Sequence, residues 1–280
     1  MEYLERRRAL VEDRLAEVLD GVEPTALEER VQHVALSGGK RVRPTVTILA
    51  CETVGGAPED AVDFAAGIEL IHNASLVIDD IIDESRVRRG TESAWAAFGH
   101  GPAVIASDGL IGEAFALFSP SSMAMERVAD AMVDLGEGEA TELVAQPQNE
   151  REYMDLARRK TGSLFRAAAE LGGIAAGADT GTVDALGRYA ERVGIAFQIR
   201  DDVLDATADP DDLGKPTGQD AAMERPSLVR VADLDPAESN ARAKERADDA
   251  LDALGEVDVQ DPTARDYLAD LATFVVTREH

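Results

Sequence analysis

The spacing of apolar residues is the feature that most restricts the fold of this chain. Apolar side chains recur every three or four positions over long stretches, and sustained two-residue alternation is absent. Such spacing is typical of helices that bury one face. It predicts helices over residues 4–19, 45–54, 61–77, 125–144, 153–176, 183–204 and 267–276.

The breaks in this pattern are mostly short. Segments rich in turn-forming residues separate the predicted helices at residues 55–60, 119–122, 146–150, 177–181, 206–218 and 256–263. None of them resembles an interdomain linker, and no short internal repeat is present. We therefore predict a single all-α domain over residues 1–280, built from about ten or more helices.

The charge of the chain restricts its partners. Its 280 residues include 55 acids and 28 bases, for a net charge of −27. Nucleic acid and anionic membranes would repel such a protein, so neither is expected as a partner. Lysine is scarce among the bases. An excess of carboxylates with few lysines is typical of a cytoplasm with molar salt, where the Debye length is roughly 3 Å.

The sequence also indicates a compartment. Cys51 is the only cysteine, so no intrachain disulfide can form and a reducing cytoplasm is expected. The first fifteen residues are charged and lack the apolar stretch of a signal peptide. No uncharged apolar run reaches about eighteen residues, so no transmembrane segment is predicted.

The pattern DDxxD occurs three times, at residues 79–83, 201–205 and 248–252. Because about one residue in five is acidic, three fixed acids are expected by chance about twice in this length, so the context must separate them. The third lies in a segment that is polar nearly all round and is expected to be a solvated helix face. The first two each follow about two mostly apolar helical turns.

These two clusters suggest a divalent metal. On a helix, Asp79 and Asp83 share a face, as do Asp201 and Asp205. Buried carboxylates without compensation take up protons or weaken the fold. Mg²⁺ compensates them, and it prefers a few carboxylates together with water and substrate phosphate. The alternative for either cluster is a helix end that merely reaches solvent.

Lysine is retained next to glycine. Lys40 lies in SGGKRVRP, Lys160 in RRKTGSLF and Lys215 in LGKPTG. Flexible glycines let backbone N–H groups approach an anion, and an ammonium group binds phosphate as a point charge. Arg43 shares a face with Lys40 if their segment is helical. Phosphate binding is the functional interpretation, and chance glycine neighbours or helix caps are the alternative.

Five segments, in this order, resemble the main motifs of the trans-isoprenyl diphosphate synthases. They are LSGGKRVRP, ELIHNASLVIDDIIDESRVRRG, KTGSLF, FQIRDDVLD and LGKPTGQD, from about residue 38 to residue 220, and the ending FVVTRE is also similar. The resemblance implies an orthogonal all-α bundle around a central cavity and a homodimer. It also implies Mg²⁺-dependent, head-to-tail transfer of an allylic group to isopentenyl diphosphate.

The resemblance assigns roles in that reaction. An allylic diphosphate ionises, isopentenyl diphosphate attacks the carbocation, and the departing charge must be neutralised where water is excluded. The implied metal ligands are Asp79, Asp83 and Asp201, assisted by Asp80, Asp202 and Asp205. The allylic diphosphate is expected to contact Arg88, Lys160, Thr161, Gln198 and Lys215, and isopentenyl diphosphate is expected to contact Lys40, Arg43, His72 and Arg89. Catalysis is expected to depend most on Asp79, Asp83, Asp201, Lys160 and Arg88.

The chain departs from the family pattern in two places. Many relatives carry histidine where this chain has Ile78, a position that is not a metal ligand. After GKPTGQD the family usually continues with glycine and lysine, whereas residues 221–225 read AAMER.

Three other functions fit parts of the pattern. A terpene cyclase shares the fold and the first acid motif, but DDVLD and GGKRVRP argue against it. A head-to-head synthase would not need Lys40 and Arg43. A non-catalytic partner subunit of a synthase commonly lacks one acid cluster, and this chain keeps both.

Small residues before the first acid cluster indicate the product length. Ala74 and Ser75 lie about one helical turn, roughly 5.4 Å, before Asp79, and Ile71 lies one turn deeper. Relatives that stop at farnesyl diphosphate often carry aromatic residues there. Geranylgeranyl diphosphate is therefore the predicted product, in keeping with a salt-loving archaeon. Farnesyl diphosphate and longer products are the alternatives.

Overall fold

The computed structural model describes residues 2–207 and 225–278, and this part of the chain is helical nearly throughout. Two-residue strands β1 (Val87–Arg88) and β2 (Thr91–Glu92) pair antiparallel. The helices are α1 (Glu2–Leu19), α2 (Thr25–Ala35), α3 (Val42–Thr53), α4 (Pro58–Ile82), α5 (Ala94–Phe98), α6 (His100–Phe118), α7 (Ser122–Ala140), α8 (Glu150–Ala157), α9 (Ser163–Ala175), α10 (Thr180–Thr207), α11 (Leu228–Val231), α12 (Pro236–Leu254) and α13 (Pro262–Thr277). The predicted all-α fold is confirmed.

The helices follow the apolar spacing, with local differences. The predicted helix over residues 153–176 divides into α8, a π-helical turn (Arg158–Gly162) and α9, and α7 continues into a second π-helical turn (Thr141–Ala145). Helix α3 begins at Val42, so Lys40 precedes it and does not share a helix face with Arg43. Arg41 caps this helix with a φ of 50°. Helices α2 and α6 and the short helices α5 and α11 are additional to the prediction.

Helix α4 lies at the centre of the core. It packs against α1, α3, α6 and α9, and it buries Ile68, Leu70, Ile71 and Ala74. Proline at its first position has no N–H to leave unpaired there, which favours a helix start. Helix α4 ends at the first acid cluster, where the Asp83 N–H donates to the Asp79 carbonyl at 2.9 Å. The first acid cluster therefore lies at the end of a buried helix.

Helix α10 carries the second acid cluster and packs against α9, α12 and α13. Helix α12 contacts it through a stripe of buried alanines, so α12 is less polar around its circumference than its sequence suggests. Asp248 is ion-paired with Lys244 on the opposite, exposed face. The third DDxxD pattern thus lies at the surface.

Two helices of the described part of the chain, α4 and α6, are long and apolar enough to cross a membrane by composition, if a few charges are allowed. In α4, 61% of the apolar window is buried inside the protein, whereas in α6 the share is 33%. Burial in the core accounts for the apolarity of α4. Helix α6 buries an apolar face that includes Leu110 and Phe118, but Val104, Ile105 and Phe115 are exposed.

Candidate active site

The first acid cluster is paired with arginines. Asp80 is buried, and it accepts hydrogen bonds from Arg88 Nε at 2.9 Å and Arg88 Nη2 at 2.5 Å. Asp83, which caps α4, is ion-paired with Arg225. Burial is the main reason why the pKa of Asp79 is raised to about 7. The nearby Glu139 carboxylate contributes to the rise, and its effect is larger than the opposite effect of the Lys160 ammonium. Asp79 is therefore the least compensated carboxyl of the cluster.

The π-helical turn Arg158–Gly162 places Lys160 beside this cluster. Lys160 Nζ lies 3.2 Å from Glu139 Oε1, and it is ion-paired with Glu142. Neighbouring helices approach the turn closely, because a Cβ on Gly138 would lie 2.8 Å from Lys160 N and one on Gly194 would lie 3.0 Å from Gly162 Cα. Only glycine permits such contacts. Turns of this kind are frequent at functional sites.

The same turn is linked to the second acid cluster. Thr161 Oγ1 donates to Gln198 Oε1 at 2.7 Å, and Gln198 Nε2 donates to Asp202 Oδ1 at 2.9 Å. Asp202 is only 3% exposed. Its Oδ2 accepts from Leu228 N at 3.1 Å and from the Tyr153 hydroxyl.

Asp201 faces away from this buried network. Its side chain is half exposed, and its Oδ1 accepts from Arg278 Nη2 at 2.8 Å. The Arg278 guanidinium also lies 4.0 Å above the Phe197 ring. Asp205 is partly exposed in the last turn of α10. The second cluster thus presents Asp201 and Asp205 outward and Asp202 inward.

A third group of side chains is basic. Arg43 Nη1 lies 3.1 Å from His72 Nε2, and its guanidinium lies 4.5 Å above the Phe165 ring. Burial, together with Arg43 and Arg89, holds the pKa of His72 well below its ordinary value. His72 is therefore neutral near pH 7, and its Nε2 accepts from Arg43. Lys40 is exposed just before α3.

Buried polar groups hold the arginines of this basic group. Arg89 Nη1 donates to Asn73 Oδ1 at 3.0 Å and to the Gly38 carbonyl at 2.6 Å. Glu69, which is 2% exposed, accepts from Arg41 Nη1 at 2.7 Å. These contacts fix the SGGKR segment against α4.

A cavity of about 390 Å³ lies beside the first acid cluster. Among its lining residues are Asp83, Glu142, Gln146 and Arg225. Within residues 2–207 and 225–278, no three His, Cys, Asp or Glu side chains form a ready metal cluster. The donor set nevertheless fits Mg²⁺, which needs only a few carboxylates when water and phosphate complete its coordination.

The structure brings most predicted site residues together in these three groups. Lys215 and residues 221–224 of the departing segment lie outside the described residues. The product-length residues lie along α4, where Ala74 and Ile71 are buried and Ser75 is partly exposed. Ser107 of α6 donates to the Ala74 carbonyl at 3.1 Å, so α6 packs at this level.

Several residues that complete the site were missed by the sequence analysis. They are Glu69, Asn73, Glu139, Glu142, Tyr153, Arg225 and Arg278. Glu139 and Glu142 could have been predicted from the sequence, because two acids three positions apart share a helix face. The others contact residues far away in the sequence, which no local pattern reveals.

Comparison with known proteins identifies the family, because the sequence matches the polyprenyl synthetases over residues 24–257. The chain belongs to this family. A short chain isoprenyl diphosphate synthase of Methanothermobacter thermautotrophicus is 35% identical to this polyprenyl synthetase, over 87% of this chain and 78% of the relative. A geranylgeranyl pyrophosphate synthase of Geoglobus acetivorans is 30% identical, over 100% of this chain and 99% of the relative.

A solved structure agrees with the family assignment. The geranylgeranyl pyrophosphate synthetase of Pyrococcus horikoshii matches with a TM-score of 0.91 at 32% identity, over 99% of this chain and 98% of that one. The predicted family, fold and trans-prenyltransferase activity are therefore confirmed.

Proposed function

We propose that this polyprenyl synthetase condenses isopentenyl diphosphate with an allylic diphosphate, head to tail, to form geranylgeranyl diphosphate. The observation that carries the proposal is the π-helical turn with Lys160 and Thr161. Lys160 lies close enough to Asp79 to lower its pKa, and Thr161 is hydrogen-bonded through Gln198 to α10. The turn thus lies between the two acid clusters, where a diphosphate could contact both.

The allylic half of the site is proposed to lie at this turn. Asp79, Asp83 and Asp201 would hold Mg²⁺, with Asp205 near them, and the bound metal would neutralise the departing diphosphate. Arg88 and Lys160 would bind the same diphosphate, together with Lys215, which lies outside the described residues. Fixed cations at a buried position stabilise developing negative charge more strongly than water does.

The isopentenyl half is proposed to lie at the basic group. Arg41, Arg43 and Arg89 outnumber the carboxylates that pair with them, Glu12 and Glu69. A diphosphate would supply the missing negative charge. Exposed Lys40 would contact it from the loop before α3, and neutral His72 would hold Arg43 in place.

The product would extend along α4. Ala74 and Ile71 are buried there and no aromatic side chain stands at residues 74 and 75, so a growing chain can pass that level. The geranylgeranyl synthases of Geoglobus acetivorans and Pyrococcus horikoshii, which this chain resembles, support a product of this length.

The protein is further proposed to be a single-domain, cytoplasmic homodimer. Val104, Ile105 and Phe115 are exposed on α6, which is apolar and only one-third buried. A second copy of the chain would cover this apolar face, which water disfavours.

Product analysis tests the proposed function. Purified protein in molar KCl is incubated with Mg²⁺, isopentenyl diphosphate and dimethylallyl, geranyl or farnesyl diphosphate in turn. We expect geranylgeranyl diphosphate as the main product by chromatography, and none without Mg²⁺. Absence of condensation with every primer would refute the assignment, and a main product of another length would refute only the length.

A further inference from the structure

Asp202 differs from its neighbour Asp201 in its surroundings. Asp201 is half exposed beside Arg278, whereas Asp202 is 3% exposed. Three uncharged donors contact Asp202: the Gln198 amide, the Leu228 N–H and the Tyr153 hydroxyl. They occupy both carboxylate oxygens. A carboxylate satisfied in this way gains little from a metal.

The contacts of Asp202 also fix the orientation of Gln198. A carboxylate can only accept hydrogen bonds, so the amide group of Gln198 must turn its NH₂ towards Asp202. Its oxygen then faces Thr161, 2.7 Å away. A threonine hydroxyl has one proton, and here that proton is donated to Gln198. The chain of hydrogen bonds therefore runs in one direction, from Thr161 to Asp202.

We infer that Asp202 is a positioning residue rather than a metal ligand. It sets the direction of the Thr161–Gln198–Asp202 chain and so anchors the turn that carries Lys160 to α10. The inference rests on the proposed function, which it deepens. It also revises the predicted roles of Thr161 and Gln198, because the hydroxyl proton of Thr161 is already donated within the protein and is not available to a phosphate oxygen.

Asp202→Asn reverses this direction. The asparagine oxygen would take the side with two donors, Leu228 N–H and Tyr153, and its NH₂ would face the NH₂ of Gln198. Gln198 must then turn over and donate to Thr161. The exchange Asp202→Asn with Gln198→Glu restores the donation from the Thr161 hydroxyl, because a carboxylate at 198 accepts from both neighbours. The total charge of the pair is also restored.

The first test measures metal binding without turnover. Mn²⁺ binding is followed by electron paramagnetic resonance in molar KCl with saturating inorganic diphosphate, for wild type, D202N and the adjacent variant D201N. We expect D202N to bind within about twofold of wild type and D201N to bind roughly tenfold or more weakly, because only Asp201 loses a ligand oxygen. Equal losses in the two variants would overturn the inference.

The second test measures the substrate constants. D202N should raise the KM for the allylic diphosphate roughly tenfold, as expected for one reversed hydrogen bond, and leave the KM for isopentenyl diphosphate within about twofold. The double variant D202N/Q198E should recover most of this loss, which a merely structural role of Asp202 does not predict. A double variant no better than D202N, or a D202N with normal constants, would overturn the inference.

A third variant covers the case in which D202N does not fold. Tyr153→Phe removes one donor and keeps the carboxylate, so it should raise the allylic KM by a smaller factor with unchanged Mn²⁺ binding. Weakened Mn²⁺ binding, or an unchanged allylic KM, would contradict the positioning role. If wild type forms no prenyl product, the proposed function fails, and the Mn²⁺ comparison still decides whether Asp202 is a ligand.

Discussion

The raised pKa of Asp79 predicts that this residue lowers the free energy of unfolding at neutral pH. The carboxyl titrates at about 7 in the folded, ligand-free protein, against an ordinary value of 3.8. The unfolded chain therefore releases this proton at lower pH than the folded protein does. Since the folded state binds more protons between these values, the free energy of unfolding falls as pH rises from about 4 to about 7, and then levels off.

Asp79→Asn removes this cost because asparagine does not ionise. At about 1.4 kcal/mol per pKa unit, the raised pKa lowers the free energy of unfolding of the wild type by at most about 4 kcal/mol at pH 8. Since about 1 kcal/mol shifts Tm by a few degrees in a chain of this size, the variant should melt roughly 5–10 °C higher than wild type at pH 8. Its turnover should fall about a thousandfold or more, because a proposed metal ligand is lost.

The assay compares melting temperatures after metal removal with EDTA in molar KCl, at pH 5, 6, 7 and 8. The gap between Asp79→Asn and wild type should widen up to about pH 7 and then stay constant. Asp248→Asn is the matched control, because Asp248 is exposed beside Lys244, and it should follow wild type. A gap that is absent, or that narrows as pH rises, would refute the reasoning.

Three further predictions concern catalysis, salt and product length. Asp201→Ala should lower turnover about a thousandfold while Asp248→Ala changes it little; equal losses in a steady-state assay would contradict the separation of site from surface. Activity and Tm should both rise from roughly 0.1 M towards molar KCl, as the Debye length shrinks from about 10 Å to about 3 Å and surplus charge is screened; equal stability in dilute buffer would exclude salt adaptation. Ala74→Phe should shift the main product to farnesyl diphosphate without abolishing turnover, and an unchanged chromatogram would show that the product does not pass this residue.

The sequence predicted the fold where the local pattern reflects the final packing. Helix α10 buries one face along its length, and its apolar spacing shows that face directly. Helix α6 was not predicted, because its apolar residues extend so far around the helix that no single face stands out. The division of residues 153–176 by a π-helical turn was also not predicted. A single π-helical turn adds about one residue to the helix, which barely changes the apolar spacing.

The candidate site was predictable as a set of motifs but not as a set of contacts. Motif order placed Asp79, Lys160 and Asp201 in one site. The arginine partners come from distant segments: Arg225 pairs with Asp83 across 142 residues, and Arg278 pairs with Asp201 across 77. Such pairs depend on tertiary packing alone, and no spacing rule reveals them.

The close approach at Gly138 limits how this enzyme can be engineered. An alanine there would press its methyl group against the main chain of Lys160, whereas a Cβ on Gly136, in the same helix, would meet nothing within 4 Å. Alanine has a higher helix propensity than glycine by up to about 1 kcal/mol, so Gly136→Ala is a candidate for greater thermal tolerance. Gly138→Ala would bring the same gain in propensity and displace the turn that carries Lys160. A mutant library for this enzyme should therefore vary the first glycine and hold the second constant.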